Sequence, residues 1–266
     1  MSFTVIIDTF IAGAEAKWLK QSALVLLLPH GFDGAGPEHS TCRLERFLQL
    51  GNDPFEYHDA GTHRYSPSLP VVNPTTPAQY FHLLRRQIKR NYRKPLIVAA
   101  PKGLLRAPQA TSTLQDFAPG TRFEAVLDDP AFAATSDGAK QSGVQRVLLC
   151  SGKHYYTLVE ERAKRQQQEH VAIVRIEELS PFPFQRVKEV MESYGDAKQV
   201  RWIWTQEEPR NQGAWTHVQP RLQSVMEEIG ASKLAYRGRK ECAVPATGVG
   251  AVHKREVEQL LKDAFE

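Results

Sequence analysis

Leu26-Leu27-Leu28-Pro29-His30-Gly31-Phe32-Asp33-Gly34-Ala35-Gly36-Pro37-Glu38-His39-Ser40 is the stretch on which the reading of this chain turns. An apolar run, Ala23 to Leu28, breaks off into a loop holding three glycines, two prolines, two histidines and two carboxylates. Open α/β sheets place reactive groups on such loops, at the carboxyl ends of their strands. Glycine allows close approach of other groups to the backbone, and histidine exchanges protons near neutral pH. His39, with Asp33, Glu38 and His30 beside it, reads either as a proton donor or oxyanion stabiliser on a shaped loop, or as part of a tight turn. Thr41 and Ser40 suit the cap of a helix near Arg43, with Glu45 in its first turns.

Outward from this loop, apolar runs alternate with helical spacing. Ala12 to Gln21 has helical content. Asn52 to Leu69 is polar, turn-rich and reads as a surface loop. Val71 to Pro74 is a short strand, Thr76 and Pro77 cap and start a helix, and Lys94 to Pro101 is a further buried strand. After the small, polar stretch 130–143, the alternation restarts. Val144–Cys150, Val171–Ile176, Val200–Thr205 and Leu234–Tyr236 read as strands. Tyr155–Gln168, Phe184–Tyr194, Asn211–Ile229 and Lys254–Phe265 read as helices. Such βα alternation predicts an α/β fold with a mainly parallel sheet. The expected division is a first domain over 1–129, a linker over 130–143 and a second domain over 144–266.

Composition narrows the classes. At 266 residues, 41% hydrophobic and 24% charged, the chain is expected to be globular, with one large or two ordinary domains. The basic runs Arg85–Lys94 and Arg162–Arg165 come without aromatic RNA motifs or zinc-finger spacing, so they read as solvated helix faces and no nucleic acid is expected. Cys42, Cys150 and Cys242 form neither a metal spacing nor a disulfide framework. The longest apolar run is too short to span a bilayer, and no membrane association is expected. The opening residues lack the pattern of a secretory signal, and none is expected.

Other motifs weigh less. His39 with Ser40 or Cys42 makes no hydrolase dyad, since no Gly-x-Ser-x-Gly elbow is present. Ser151-Gly152-Lys153-His154 reads as a connecting turn or an anion-binding one. Gln206-Glu207-Glu208-Pro209 ends a strand and reads as capping and interface contacts before catalysis. Thr247-Gly248-Val249-Gly250 reads as a turn, without the dinucleotide fingerprint.

Leu28 to Ser40 resembles the active-site loop of thiamine-diphosphate-dependent 2-oxo acid dehydrogenases of the 2-oxoglutarate type. Asn73 to Gln87, Arg93 to Val98, Pro101-Lys102, Leu104 to Arg106, Cys150 to Lys153, Arg175 to Leu179, Pro181 to Pro183 and Gln206 to Pro209 are similar to the same family, in order and nearly end to end. Ala35-Gly36-Pro37 with His39-Ser40 and Cys42-Arg43, and Thr75 to Gln79, lean toward its 2-oxoadipate branch.

The resemblance implies a transketolase-like, three-layer αβα architecture: part of a pyrimidine-binding domain plus the family's C-terminal domain. It implies thiamine diphosphate and Mg2+ as cofactors, although the Gly-Asp-Gly motif that holds metal and diphosphate, and the glutamate that activates the aminopyrimidine, have no counterpart in this sequence. By resemblance His39 matches the active-site histidine that contacts substrate or lipoyl group, and His30 sits at the loop's other histidine. The implied reaction is decarboxylation of a 2-oxo acid and acyl transfer to lipoamide; the implied partners are a dihydrolipoyl acyltransferase core and a second copy in a homodimer. The implied location is the mitochondrial matrix in a eukaryote and otherwise the cytoplasm. Two readings stand: a C-terminal portion of the decarboxylating component, inactive alone, or a non-catalytic interaction module that keeps the dimer surface. Either way, a parallel sheet lacking its first units is expected to expose an apolar edge and self-associate.

Overall fold

The computed structural model describes residues 5–34, 36–57, 66–132 and 143–266. The tip of the expected surface loop, 58–65, and most of the expected linker, 133–142, lie outside the described residues.

Among the described residues nine strands form two sheets: β1 (Val25–Pro29), β2 (Val71–Val72), β3 (Leu96–Ala100), β4 (Val126–Leu127), β5 (Arg146–Cys150), β6 (Val171–Ile176), β7 (Glu178–Ser180), β8 (Arg201–Pro209) and β9 (Ala235–Arg239). The first sheet has the order β1-β3-β2-β7 and the second β4-β6-β5-β8-β9. β1, β3 and β2 run parallel, as do β6, β5, β8 and β9. Among the described strands only β7 against β2 and β4 against β6 are antiparallel. The expected α/β class with mainly parallel pairing is therefore found.

The apolar residues sort by strand face, since successive side chains point to opposite sides. In the first sheet Val71 and Ile97 face inward, while Val72, Leu96 and Val98 pack with Leu83 of helix Pro77–Lys89. In the second, Val147, Leu149, Val174, Trp202 and Trp204 face the same central core as Val71 and Ile97. Leu148, Ile173 and Ile203 face outward onto Leu158 of helix His154–Lys164 and Phe265 of helix Gly250–Phe265. Between the sheets lie helices Leu44–Leu50, Phe184–Ser193 and Trp215–Ile229, which supply Phe47, Val190, Met191, Leu222 and Val225. Each sheet is the middle of an αβα sandwich, and the two sandwiches share their inner helical layer.

β7, too short to be read from sequence, stitches the sheets together. The chain leaves the second sheet at Ile176 and enters the first at Glu178, turning on Glu177. That residue is fully buried; its carboxylate accepts the Thr75 N–H at 2.8 Å and the Thr75 hydroxyl at 2.6 Å. Val126 and Leu127, placed by sequence in the first domain, pair with Arg175 and Ile176 of the second sheet.

Several local expectations hold. Thr76 Oγ1 accepts the Gln79 N–H at 3.2 Å, with Pro77 in the first helical position. Others shift. The first helical segment begins at Ile6 as a wide π-helical turn to Ala12, continues over Ala14–Trp18 and stops at Leu19 in a left-handed conformation. β8 runs on to Pro209, and the helix expected from Asn211 starts at Trp215. Gln206 is the reason: its amide donates to the carbonyls of Pro209 and Gln212 and accepts the Trp215 N–H, taking up groups a longer helix would have used. The basic runs are not wholly solvated either. Arg162 is buried on Asp129, and Arg86 pairs with Glu178 at 2.5 Å.

Candidate active-site loop

The loop after β1 lies against the carboxyl ends of the second sheet, and its glycines make that approach possible. A Cβ at Gly31 would stand 2.7 Å from Lys153 Cε and 2.9 Å from Pro101 Cβ. One at Gly34, whose φ is +73°, would stand 2.6 Å from the His253 ring. The Gly34 carbonyl accepts the Gly248 N–H at 3.1 Å, so the Thr247–Gly250 turn docks onto the loop. Phe32, buried, stacks on His253 and lies under the Arg239 guanidinium at 4.7 Å.

The two histidines have opposite environments. His30 is 5% exposed, and its Nε2 lies 2.7 Å from Glu208 Oε1. Its Nδ1 faces the Cys42 N–H at 3.3 Å and the Thr41 hydroxyl at 3.4 Å. Burial opposes charge on this ring, but Cys42 and Glu208 outweigh it and raise its pKa well above the ordinary value. Burial also opposes charge on Glu208, yet His30 holds that carboxyl below the ordinary range. His39 instead stands on the short turn Pro37–Ser40 with its side chain 59% exposed, 3.6 Å from Glu38. The structure therefore does not bring His30 and His39 onto a common partner.

Lys153 answers the question left open for its turn. Its ammonium contacts Asp33 at 2.5 Å and Glu207 at 3.1 Å, so the anions it holds are the protein's own carboxylates. Burial works against that ammonium, and Glu207 and Asp33 raise its pKa all the same. Burial pushes the Glu207 carboxyl up, with Lys153 opposing. Gly152, at φ +69°, lets the turn lie on Asn73, whose amide nitrogen would be 2.3 Å from a Cβ there. His154 is buried on the Thr205 hydroxyl at 3.0 Å.

Arg239 and His253 were not singled out from sequence, and Glu208 was read there as a structural contact within Gln206–Pro209, not as the partner of a loop histidine. For Glu208 a signal existed: two consecutive carboxylates closing an apolar strand. Such a pair costs too much to bury without partners. Arg239 and His253 carry no local signal, because their partners Glu256 and Phe32 are met only through the fold.

Residues 111–265 match the model of the 2-oxoglutarate dehydrogenase C-terminal domain. The chain belongs to the 2-oxoglutarate dehydrogenase family. Residues 1–108 match the transketolase pyrimidine-binding domain. The 2-oxoadipate dehydrogenase complex component E1 of Homo sapiens is 50% identical over 262 residues, 98% of this chain and 27% of that protein. A probable homologue of that component in Dictyostelium discoideum is 49% identical over 98% of this chain and 28% of its own length. The 2-oxoglutarate dehydrogenase E1 component of Brucella ovis is 43% identical over 98% of this chain and 25% of its length. The chain thus spans about a quarter of the length of the curated relatives it matches.

Family membership implies dependence on thiamine diphosphate. Among the described residues no three His, Cys, Asp or Glu side chains gather as a metal–diphosphate site would require. The cations nearest the loop are engaged, Lys153 with Asp33 and Glu207 and Arg239 with Glu256. The described residues offer no such cluster for a metal-bound diphosphate.

Proposed function

We propose that this region forms one wall of the active site of a decarboxylating (E1) component, at which a 2-oxo acid loses carbon dioxide and its acyl group passes to a lipoyl arm. One observation carries the reading: a single glycine loop presents one histidine locked inside on a carboxylate and one held out on a short, exposed turn. His39 is the group free to meet a substrate or lipoyl chain, donating a proton to a developing oxyanion or thiolate. His30 serves from behind, as part of the frame that fixes the loop. The protein's contribution to such chemistry is orientation and charge stabilisation. Thiamine diphosphate supplies the carbanion chemistry when bound, a dihydrolipoyl acyltransferase core takes the acyl group, and the component works as a homodimer. The location that goes with this reading is the mitochondrial matrix in a eukaryote and otherwise the cytoplasm.

The test is turnover by the protein as its source makes it. With thiamine diphosphate, Mg2+ and lipoyl acceptor, 2-oxoadipate or 2-oxoglutarate should be decarboxylated, and His39→Ala should lower kcat by about 100-fold or more. The ratio of the two rates decides the substrate branch. No turnover of either acid, with acyltransferase binding intact, would favour the non-catalytic interaction module instead. Full activity in His39→Ala would remove the role given to that residue.

A further inference from the structure

Glu208 lies 178 positions along the chain from the histidine it holds, on a different sheet. A backbone N–H can only donate, so the contact from Cys42 makes Nδ1 of His30 the acceptor nitrogen. The other nitrogen then carries the ring proton and points it at Glu208 Oε1, 2.7 Å away. Room for this carboxylate is reserved: Gly213 sits at φ +68°, and a Cβ there would be 2.9 Å from the Glu208 carboxyl carbon. The register of β8 against β9 shifts between Gln206 and Pro209; of the consecutive carboxylates there, Glu208 reaches the loop at His30 and Glu207 reaches Lys153, the lysine that holds the loop.

We propose that Glu208 is a positioning residue: from the second sheet it fixes the tautomer and orientation of His30, and so sets the shape in which the glycine loop presents its exposed histidine. This rests on the reading of the loop as part of the active site, but the geometry stands without it. The groups packed around Glu208 leave it to His30. Glu207 is taken by Lys153, and His154 bonds to Thr205. Arg239 pairs with Glu256, and the Tyr236 hydroxyl donates to the Arg239 carbonyl. Glu45, the remaining carboxylate nearby, accepts the Gly213 N–H at 3.1 Å.

The experiment is nitrogen-15 NMR of histidine-labelled 266-residue chain, with no substrate present. In the wild type, at a pH above the His30 titration midpoint, the neutral ring should show a protonated Nε2 and an acceptor-type Nδ1. Glu208→Gln keeps an oxygen that can accept the Nε2–H and loses the charge, so the tautomer should persist while the His30 titration midpoint falls by about one pH unit or more. A protonated Nδ1 on the neutral ring of the wild type, above that midpoint, overturns the proposal by itself, even if the variant does not fold. An unchanged midpoint in a folded Glu208→Gln also overturns it. Neither readout involves turnover, so a failure here is separate from a failure of the His39 assay.

Discussion

His154 follows directly on the lysine that holds the loop, and its ring shows what burial does when no carboxylate pairs with it. Desolvation, with Lys153 and Arg239 adding to it and Glu208 opposing, lowers its pKa from 6.5 to about 4. In the unfolded chain the ring takes its proton near 6.5; in the folded protein it stays neutral down to about 4. Between those values the unfolded state binds more protons. Stability is therefore present in full above pH 6.5 and lost as pH falls toward 4, by up to about 3 kcal/mol. His154→Gln can still bond to the Thr205 hydroxyl and does not titrate. Urea unfolding of both proteins at pH 7.5 and pH 5 should show a smaller loss in the variant; equal losses would refute the assignment. His30 and His154 could not be told apart in this respect from sequence. Each follows an apolar strand, and only the fold gives one a carboxylate and the other a hydroxyl.

At the scale of elements, the alternation of apolar strands and capped helices was legible because it is local. Thr76 with Pro77, and the runs Leu96–Ala100 and Val171–Ile176, each carry their own signal. β7 does not. Three residues, Glu178-Leu179-Ser180, have no periodicity to read, and they form a strand because Val71 and Val72 offer an open edge. Glu177 makes the crossing possible by satisfying the buried N–H and hydroxyl of Thr75, with the Asn73 N–H bonded to its own carbonyl at 2.8 Å. Glu177→Ala leaves those Thr75 donors buried without an acceptor and should cost about 3 kcal/mol. Because the crossing joins the sheets, amides of β3 and β5 should lose hydrogen-exchange protection together in this variant. Loss confined to one sheet would show that the shared helical layer, and not the crossing, couples them.

Over the whole molecule, β1 is one of four edge strands among the described residues, and apolar side chains lie exposed beside it. It pairs only with β3 among the described strands, so one of its edges is open. Leu24 and Leu27 are about half exposed, as are Val5, Ile6 and Phe10 of the first helical segment. An open strand edge with apolar side chains is a template for association. The 266-residue chain is expected to self-associate on concentration, and Leu24→Glu with Leu27→Lys should reduce it, since charge blunts such an edge. Light scattering decides: a stable monomer at high concentration in the wild type would contradict the expectation. Among the described residues no helix is long and apolar enough to cross a membrane.

The α/β class, the mainly parallel pairing, the position of the glycine loop and the family were all legible before any fold was known, because each is written in local order: periodicity, caps and consecutive motif residues. What surrounds the loop's side chains came from the folded arrangement. It buried His30 on Glu208, turned His39 outward, spent Lys153 on Asp33 and Glu207, and joined two sheets through three residues. The physical reason is the range of the interactions. A helix or strand is set by neighbours a few positions away, whereas the charge state of a histidine depends on whichever carboxylate is within hydrogen-bond reach. Here that carboxylate comes from the far end of the chain.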